Sequence, residues 1–324
     1  MNLNSDFTFQ TLQLQNDYEG EVVATLISAN KNSNRKKAVL YLHGFIDYFF
    51  HPHVAAKFLE NNFDFYALDL RKYGRSLLPH QHPNYCKNLE EYFEEISIAL
   101  RTISDNNSTD ITLLGHSTGG LIACNYMNDG AERKLVKNLV LNSPFFDFNV
   151  PKPVKKAGLV LAKFSSQALQ YGKLEGALPP SYPESLHKDF HGEWDFNLDW
   201  KPIKGFPTYF KWLIAIDKAQ KKLRKSSIQI PVLILHSHHS KKMLKFQEAA
   251  HSADIVLNVE HMKNIGPKLG SNLKIIEIQN GMHDLFLSQK EVREKAFEEM
   301  FGWLSVFDSA QTANVSRGLS GSDS

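Results

Sequence analysis

Apolar and polar positions change rhythm repeatedly along the first half of this chain. Residues 7–14 alternate in the manner of a strand, with Phe7, Phe9, Leu12 and Leu14 apolar, and residues 22–27 follow as a second short apolar run; together they predict an opening antiparallel hairpin. After a polar turn over residues 30–37, Ala38-Val39-Leu40-Tyr41-Leu42 is continuously apolar, the signature of a strand buried on both faces of a parallel sheet. A helix is predicted over 52–61, with Pro52 suited to its first turn, and a strand over 63–68. Asn88 and Glu91 have capping-box spacing, and Leu89, Tyr92, Phe93, Ile96, Leu100 and Ile103 then share one helical face. A strand over 110–114, a helix over 120–127 and a strand over 139–143 continue the series. Such alternation predicts an α/β fold with a doubly wound, mostly parallel sheet.

After Pro144 the rhythm stops. Residues 150–227 hold seven prolines and Trp194, Trp200 and Trp212, three of the chain's four tryptophans, with helical runs over 152–170 and 208–225. This stretch reads as an inserted helical cap over something apolar. In the first run Val154, Ala157, Leu161, Phe164 and Ala168 fall on one side, with Lys152, Lys155, Lys156 and Lys163 largely on the other. Two readings fit: a lid facing an apolar pocket, or a helix resting transiently on a membrane surface. The run 209–216 reads as cap core. The sheet resumes at 230–236, followed by an extra helix over 241–250, a helix over 258–268, a strand over 273–278 and a closing amphipathic helix over 289–307. The expected division is an α/β core of 1–148 and 229–307, a cap of 149–228, and a disordered Ser-, Gly-, Asn- and Thr-rich tail of 308–324.

Composition changes this picture little. A hydrophobic content of 42% is enough for a large core. The net charge of +2 hides an asymmetry: residues 151–225 carry 14 Lys or Arg against 7 Asp or Glu, and the rest carries 23 against 28. A solvated basic face explains this, and so would attraction to anionic substrates or membrane surfaces. Two cysteines, Cys86 and Cys124, imply no disulfide framework. The first residues lack a signal-peptide pattern and no run is long enough to span a membrane, so a cytoplasmic location is expected. No repeat, nucleotide-binding loop or metal-ligand cluster is visible; His236, His238 and His239 read as a polar loop. Neither a cofactor nor a nucleic-acid partner is expected, and nothing here bears on oligomeric state.

The chemistry concentrates in Gly115-His116-Ser117-Thr118-Gly119, a G-x-S-x-G pattern between the predicted strand over 110–114 and the predicted helix over 120–127. A serine on such a turn has its hydroxyl held out of the sheet, and the Thr118 amide at the helix start suits an anion. His43-Gly44-Phe45 follows a central strand, where glycine lets the backbone approach a ligand and the Phe45 amide supply a second donor. His43 itself suits ordering of the loop. Gln279-Asn280-Gly281-Met282-His283-Asp284 presents His283 at the carboxyl end of a strand, the edge where Ser117 also lies. Asp254 is the carboxylate expected to orient His283; Asp147 is its main rival, and Asp284 adjoins the histidine too closely to orient it well.

Together, His43-Gly44-Phe45, the Gly115 to Gly119 turn, the cap and the loop ending at His283 resemble the α/β-hydrolase superfamily over about residues 20–305. The branch looks like the lysophospholipase and monoacylglycerol lipase group, which shades into serine aminopeptidases. The order Ser117, Asp254, His283 is that of the superfamily, although the segment before Asp254 is lengthened. The resemblance implies acyl transfer by Ser117 with His283 as base, Asp254 behind it, and Phe45 and Thr118 as oxyanion donors. It implies a small acyl ester with an apolar chain as substrate, and no cofactor. An aminopeptidase using cap acids such as Glu193, Asp195 or Asp199, or a binding protein that kept the fold, are the alternatives.

Overall fold

The apolar runs become strands because each buries both its faces. In Lys37–Leu42 (β3) the side chains of Ala38, Leu40 and Leu42 join one core and those of Val39 and Tyr41 the other. The structure, a computed structural model, describes residues 1–3, 5–29, 35–106, 108–176 and 179–319, with side chains as far as 307. Most of the polar turn expected over 30–37 lies outside the described residues. Thr8–Gln13 (β1) and Val23–Ser28 (β2) form the antiparallel hairpin, and β2 runs antiparallel to Phe63–Asp69 (β4). From there β3, Asp110–His116 (β5), Val136–Asn142 (β6), Val232–Ser237 (β9) and Leu273–Ile278 (β10) are parallel neighbours; the insertion holds the short pair Lys173–Leu174 (β7) and Thr208–Tyr209 (β8). The eight-stranded order is β1-β2-β4-β3-β5-β6-β9-β10.

Helices cover both faces. Phe93–Asp105 (α2), entered through the Asn88/Glu91 capping box, and Thr118–Asp129 (α3) pack Ile96, Leu100, Ile103, Leu121 and Ile122 on one side. Pro52–Glu60 (α1) and Lys290–Leu319 (α8) bring Val54, Phe58, Phe297 and Met300 to the other. The carboxyl ends of the parallel strands thus open to one edge, with the insertion between β6 and β9 beside it.

That insertion contains Lys152–Ala168 (α4), Ser181–Leu186 (α5) and Phe210–Leu223 (α6). Trp212, Ala215 and Ile216 of α6 are buried in the main core. The apolar side of α4 points outward: Val154 is 57%, Leu161 61% and Phe164 70% exposed, while Ala162 and Ser166 are buried. The lid-over-pocket reading of this face is therefore not met.

Two further expectations are corrected. No α-helix forms over 241–250; only Glu248–His251 makes a 3-10 turn. The ends of the loop pair with each other instead, the Lys241 amide donating to Asp254 O (2.9 Å) and the Asp254 amide to His239 O (3.1 Å). Helix α7 is then Val259–Ile265, capped by Asn258, whose side chain accepts from the Glu260 amide. At the other end, α8 does not stop at the expected 307 but runs to Leu319. Extending an existing helix fixes one residue per added hydrogen bond, and 308–317 contain neither glycine nor proline to interrupt it. The last five expected tail residues, 320–324, lie outside the described ones.

Candidate active site

Strand β5 hands over to α3 through Ser117, which sits at φ 52°, ψ −115°. Such a conformation costs a non-glycine residue on the order of 1–3 kcal/mol and has to be held by its surroundings. Here the Ser117 amide donates to Asn142 O (3.0 Å), and Ser117 O accepts from the Gly120 and Phe145 amides (3.0 Å each). The glycines are dictated by backbone approach. A Cβ on Gly119 would collide with the carbonyl oxygens of Leu42 and His43, and one on Gly115 would lie 2.6 Å from Gly119 O. The turn is thus pressed against the exit of β3, which brings Gly44 beside the serine: a Cβ there would stand 3.2 Å from Ser117 Cβ.

His283 and Asp254 reach this point from the far side of the sheet. His283 Nε2 lies 3.0 Å from Ser117 Oγ, and Nδ1 lies 2.9 Å from Asp254 Oδ2. Asp254 is fully buried, and its other oxygen accepts from the amides of Val256 (2.9 Å) and Leu257 (2.7 Å). The Ser240–Asp254 bridge explains how so distant a residue arrives: the long loop folds back and returns Asp254 to the end of β9. The rivals are occupied elsewhere. Asp147 pairs with Lys155 (2.6 Å) and Arg224. Asp284 Oδ1 accepts from Asn142 Nδ2 (2.7 Å) and the Phe286 amide (3.0 Å).

Thr118 is the first residue of α3, so its amide has no intrahelical acceptor. Among the described residues the Phe45 amide donates to no protein acceptor. The loop carrying Phe45 is ordered by His43. His43 Nε2 accepts from the Leu70 amide (3.1 Å), which leaves the proton on Nδ1 to donate to Gly44 O (2.8 Å). Burial pulls the His43 pKa below its ordinary value, keeping the ring neutral. The arrangement sets a hydroxyl, an imidazole and a carboxylate in one hydrogen-bonded line at the sheet edge.

The sequence profile of the Hydrolase_4 family, described as serine aminopeptidase S33, matches residues 33–288. The chain belongs to this family. Among solved structures, its fold is similar to a soluble variant of monoglyceride lipase from Saccharomyces cerevisiae in complex with a substrate analogue, at 15% identity and a TM-score of 0.69, covering 94% of this chain and 96% of that one. It is also similar to a monoacylglycerol lipase from Paleococcus ferrophilus (17% identity, TM-score 0.61, 92% and 98% covered) and an esterase from Pyrococcus furiosus (15%, 0.53, 92% and 92%). Comparison with curated proteins gives no match. The doubly wound sheet is therefore an α/β-hydrolase fold.

Around the site of this Hydrolase_4 member lie residues that sequence reasoning passed over. Asp47, two positions beyond Phe45, forms a buried ion pair with Lys201 at 2.5 Å. Burial alone would raise its pKa, but the Lys201 ammonium holds it below the usual carboxylate value. His51 and His116 place their Nε2 atoms 3.7 and 3.9 Å from Asp284 Oδ2; burial lowers both histidine pKa values, so these are contacts of neutral rings with a carboxylate. Phe45 stacks on Trp212 of α6, ring centroids 4.0 Å apart. Local pattern carries no trace of a pair such as Asp47 and Lys201, 154 residues apart in sequence.

Proposed function

We propose that this protein is a serine hydrolase of carboxylic esters with an apolar acyl chain, working through an acyl-enzyme. The observation that carries the reading is the continuous hydrogen-bond path from Ser117 Oγ through His283 to Asp254. His283 Nε2 takes the Ser117 proton as Oγ attacks the ester carbonyl. The Phe45 and Thr118 amides hold the oxyanion, and His283 returns the proton to the leaving alcohol. Water, deprotonated by the same nitrogen, then attacks the acyl-serine, releasing the acid and restoring the hydroxyl. Asp254 fixes the proton on Nδ1 and stabilises the imidazolium between steps.

Within the Hydrolase_4 family an aminopeptidase is the competing reading, and two of the three insertion acids named for it are already engaged. A substrate amine would need a carboxylate free to receive it. Glu193 pairs with Arg293 and Asp195 with Lys188 (2.5 Å), whereas Asp199 makes no ion pair among the described residues; all three acids are exposed. In the proposed reading the insertion is a cap of about residues 149–228. The outward face of α4, apolar with Lys152, Lys156 and Lys163 beside it, is the surface that would meet a lipid aggregate carrying the ester.

The test compares p-nitrophenyl esters of graded chain length with aminoacyl p-nitroanilides, with Ser117→Ala as control. Ester turnover that rises with acyl length and vanishes in Ser117→Ala is expected. Preferential anilide cleavage would favour the aminopeptidase, and no turnover with an unreactive Ser117 would indicate a binding protein.

A further inference from the structure

Besides the stacking of Trp212 on Phe45, the insertion meets the machinery of the site through polar contacts at two buried places. The first is on the side of the base. Tyr182, on α5, accepts a hydrogen bond from the Asp284 amide (3.2 Å) and sets its ring edge-on to the His283 imidazole, centroids 5.4 Å apart at 74°. Helix α5 is itself anchored, since Leu186 is fully buried and Ser181 Oγ donates to Met243 O (3.2 Å). The loop carrying His283 is therefore gripped from β6 by Asn142, which holds the Asp284 carboxylate, and from the insertion by Tyr182.

The second is on the oxyanion side. Lys201 Nζ, from the insertion, meets Asp47 Oδ1 at 2.5 Å, both side chains about 5–6% exposed. The next core residue, Tyr48, accepts from the Asn197 amide through its hydroxyl (2.7 Å). Two consecutive residues just past Phe45 are thus tied to the insertion. A buried ion pair is weak evidence for stability, because desolvating both charges offsets their attraction. What it does supply is a fixed distance between two segments far apart in the chain.

We infer that Tyr182 and Lys201 are positioning residues, through which the insertion sets the place of the His283 imidazole and of the Phe45 amide. The inference rests on the ester-hydrolase reading above. Displacing a reacting group by about 1 Å can cost on the order of 10²-fold in rate, so slack at either contact lowers kcat and leaves substrate binding nearly untouched.

The experiment measures kcat, KM and melting temperature on one p-nitrophenyl ester, with fluorophosphonate labelling of Ser117, for wild type, Tyr182→Phe, Lys201→Met and Lys201→Met/Asp47→Asn. Tyr182→Phe removes only the acceptor oxygen and is expected to lower kcat about tenfold, with KM within about twofold and a melting temperature lowered only by the loss of one acceptor for the Asp284 amide. Lys201→Met leaves Asp47 buried and unpaired, so melting temperature and kcat both fall. Adding Asp47→Asn removes that charge and restores the melting temperature, while kcat stays at least about tenfold down because the tether is still absent. A kcat within about twofold of wild type in Tyr182→Phe, or one that recovers with melting temperature in the double variant, overturns the inference. If wild type itself shows neither labelling nor hydrolysis, the reading beneath falls with it; normal wild-type chemistry with indifferent variants sinks the inference alone.

Discussion

Replacing Asp254 by asparagine isolates what the carboxylate contributes, because size is unchanged and one oxygen keeps its work. Oδ1 still accepts from the Val256 and Leu257 amides at 2.9 and 2.7 Å, which obliges the new NH2 group to face His283 Nδ1. Turning the amide round would set NH2 against two N–H donors. With a donor opposite, Nδ1 has to accept, and the ring proton moves to Nε2, the nitrogen 3.0 Å from Ser117 Oγ. That nitrogen then cannot take the serine proton. A wrong tautomer of this kind costs about 10⁴ in kcat, roughly 5.4 kcal/mol at 1.36 kcal/mol per decade. The assay is kcat on a p-nitrophenyl ester, with a melting curve to show that Asp254→Asn folds. Asp254→Ala, which strands two amides, should melt lower, by roughly 1–3 kcal/mol for each stranded group. Asp254→Asn within tenfold of wild type, with Asp147→Ala down about 10³-fold, would refute the assignment.

Other expectations follow from the same geometry. Gly119→Ala drives a methyl into the carbonyl oxygens of Leu42 and His43, neither able to move alone, so soluble yield, melting temperature and Ser117 labelling should all drop. Gly158→Ala, on α4 with nothing within 4 Å of the added carbon, should instead be neutral or stabilising by up to about 1 kcal/mol. Burial holds His43, His51, His53 and His116 below their ordinary pKa of 6.5, so the unfolded chain takes up those protons first. Stability should then be flat above that value and decline as pH falls from it toward the folded pKa values, by up to about 1.4 kcal/mol per pH unit for each histidine. Glu95, raised by burial, opposes this but is one group against these four and His236, His239 and His261, which burial lowers as well. Asp47, depressed, adds a second loss below its ordinary 3.8. Urea midpoints between pH 8 and 5 check the first window; an unchanged midpoint from pH 7 to 5 would contradict it. Replacing Val154, Leu161 and Phe164 by serine should weaken co-sedimentation with phospholipid vesicles several-fold and spare turnover of a soluble ester; unaltered co-sedimentation would count against α4 as the lipid-facing surface.

How much of this was legible depended on the range of the forces involved. The alternation in β1 and β2, the both-faces-buried run of β3, the capping box before α2 and the Gly115 to Gly119 turn are local matters of sterics and hydrogen bonding, and neighbours in sequence determine them. So is the loop ending at His283. The helix expected over 241–250 does not form, and local propensity says nothing of the pairing of Ser240 with Asp254 that folds the segment back. The sequence alone also determined that α4 is two-sided, but not which side meets solvent. Tertiary packing decided that, and it decided the meetings of Ser117 with His283, Asp47 with Lys201 and Tyr182 with the His283 loop. A contact between segments separated by a hundred residues or more leaves no periodic mark on either of them, since each sees the other only once the sheet has brought them together.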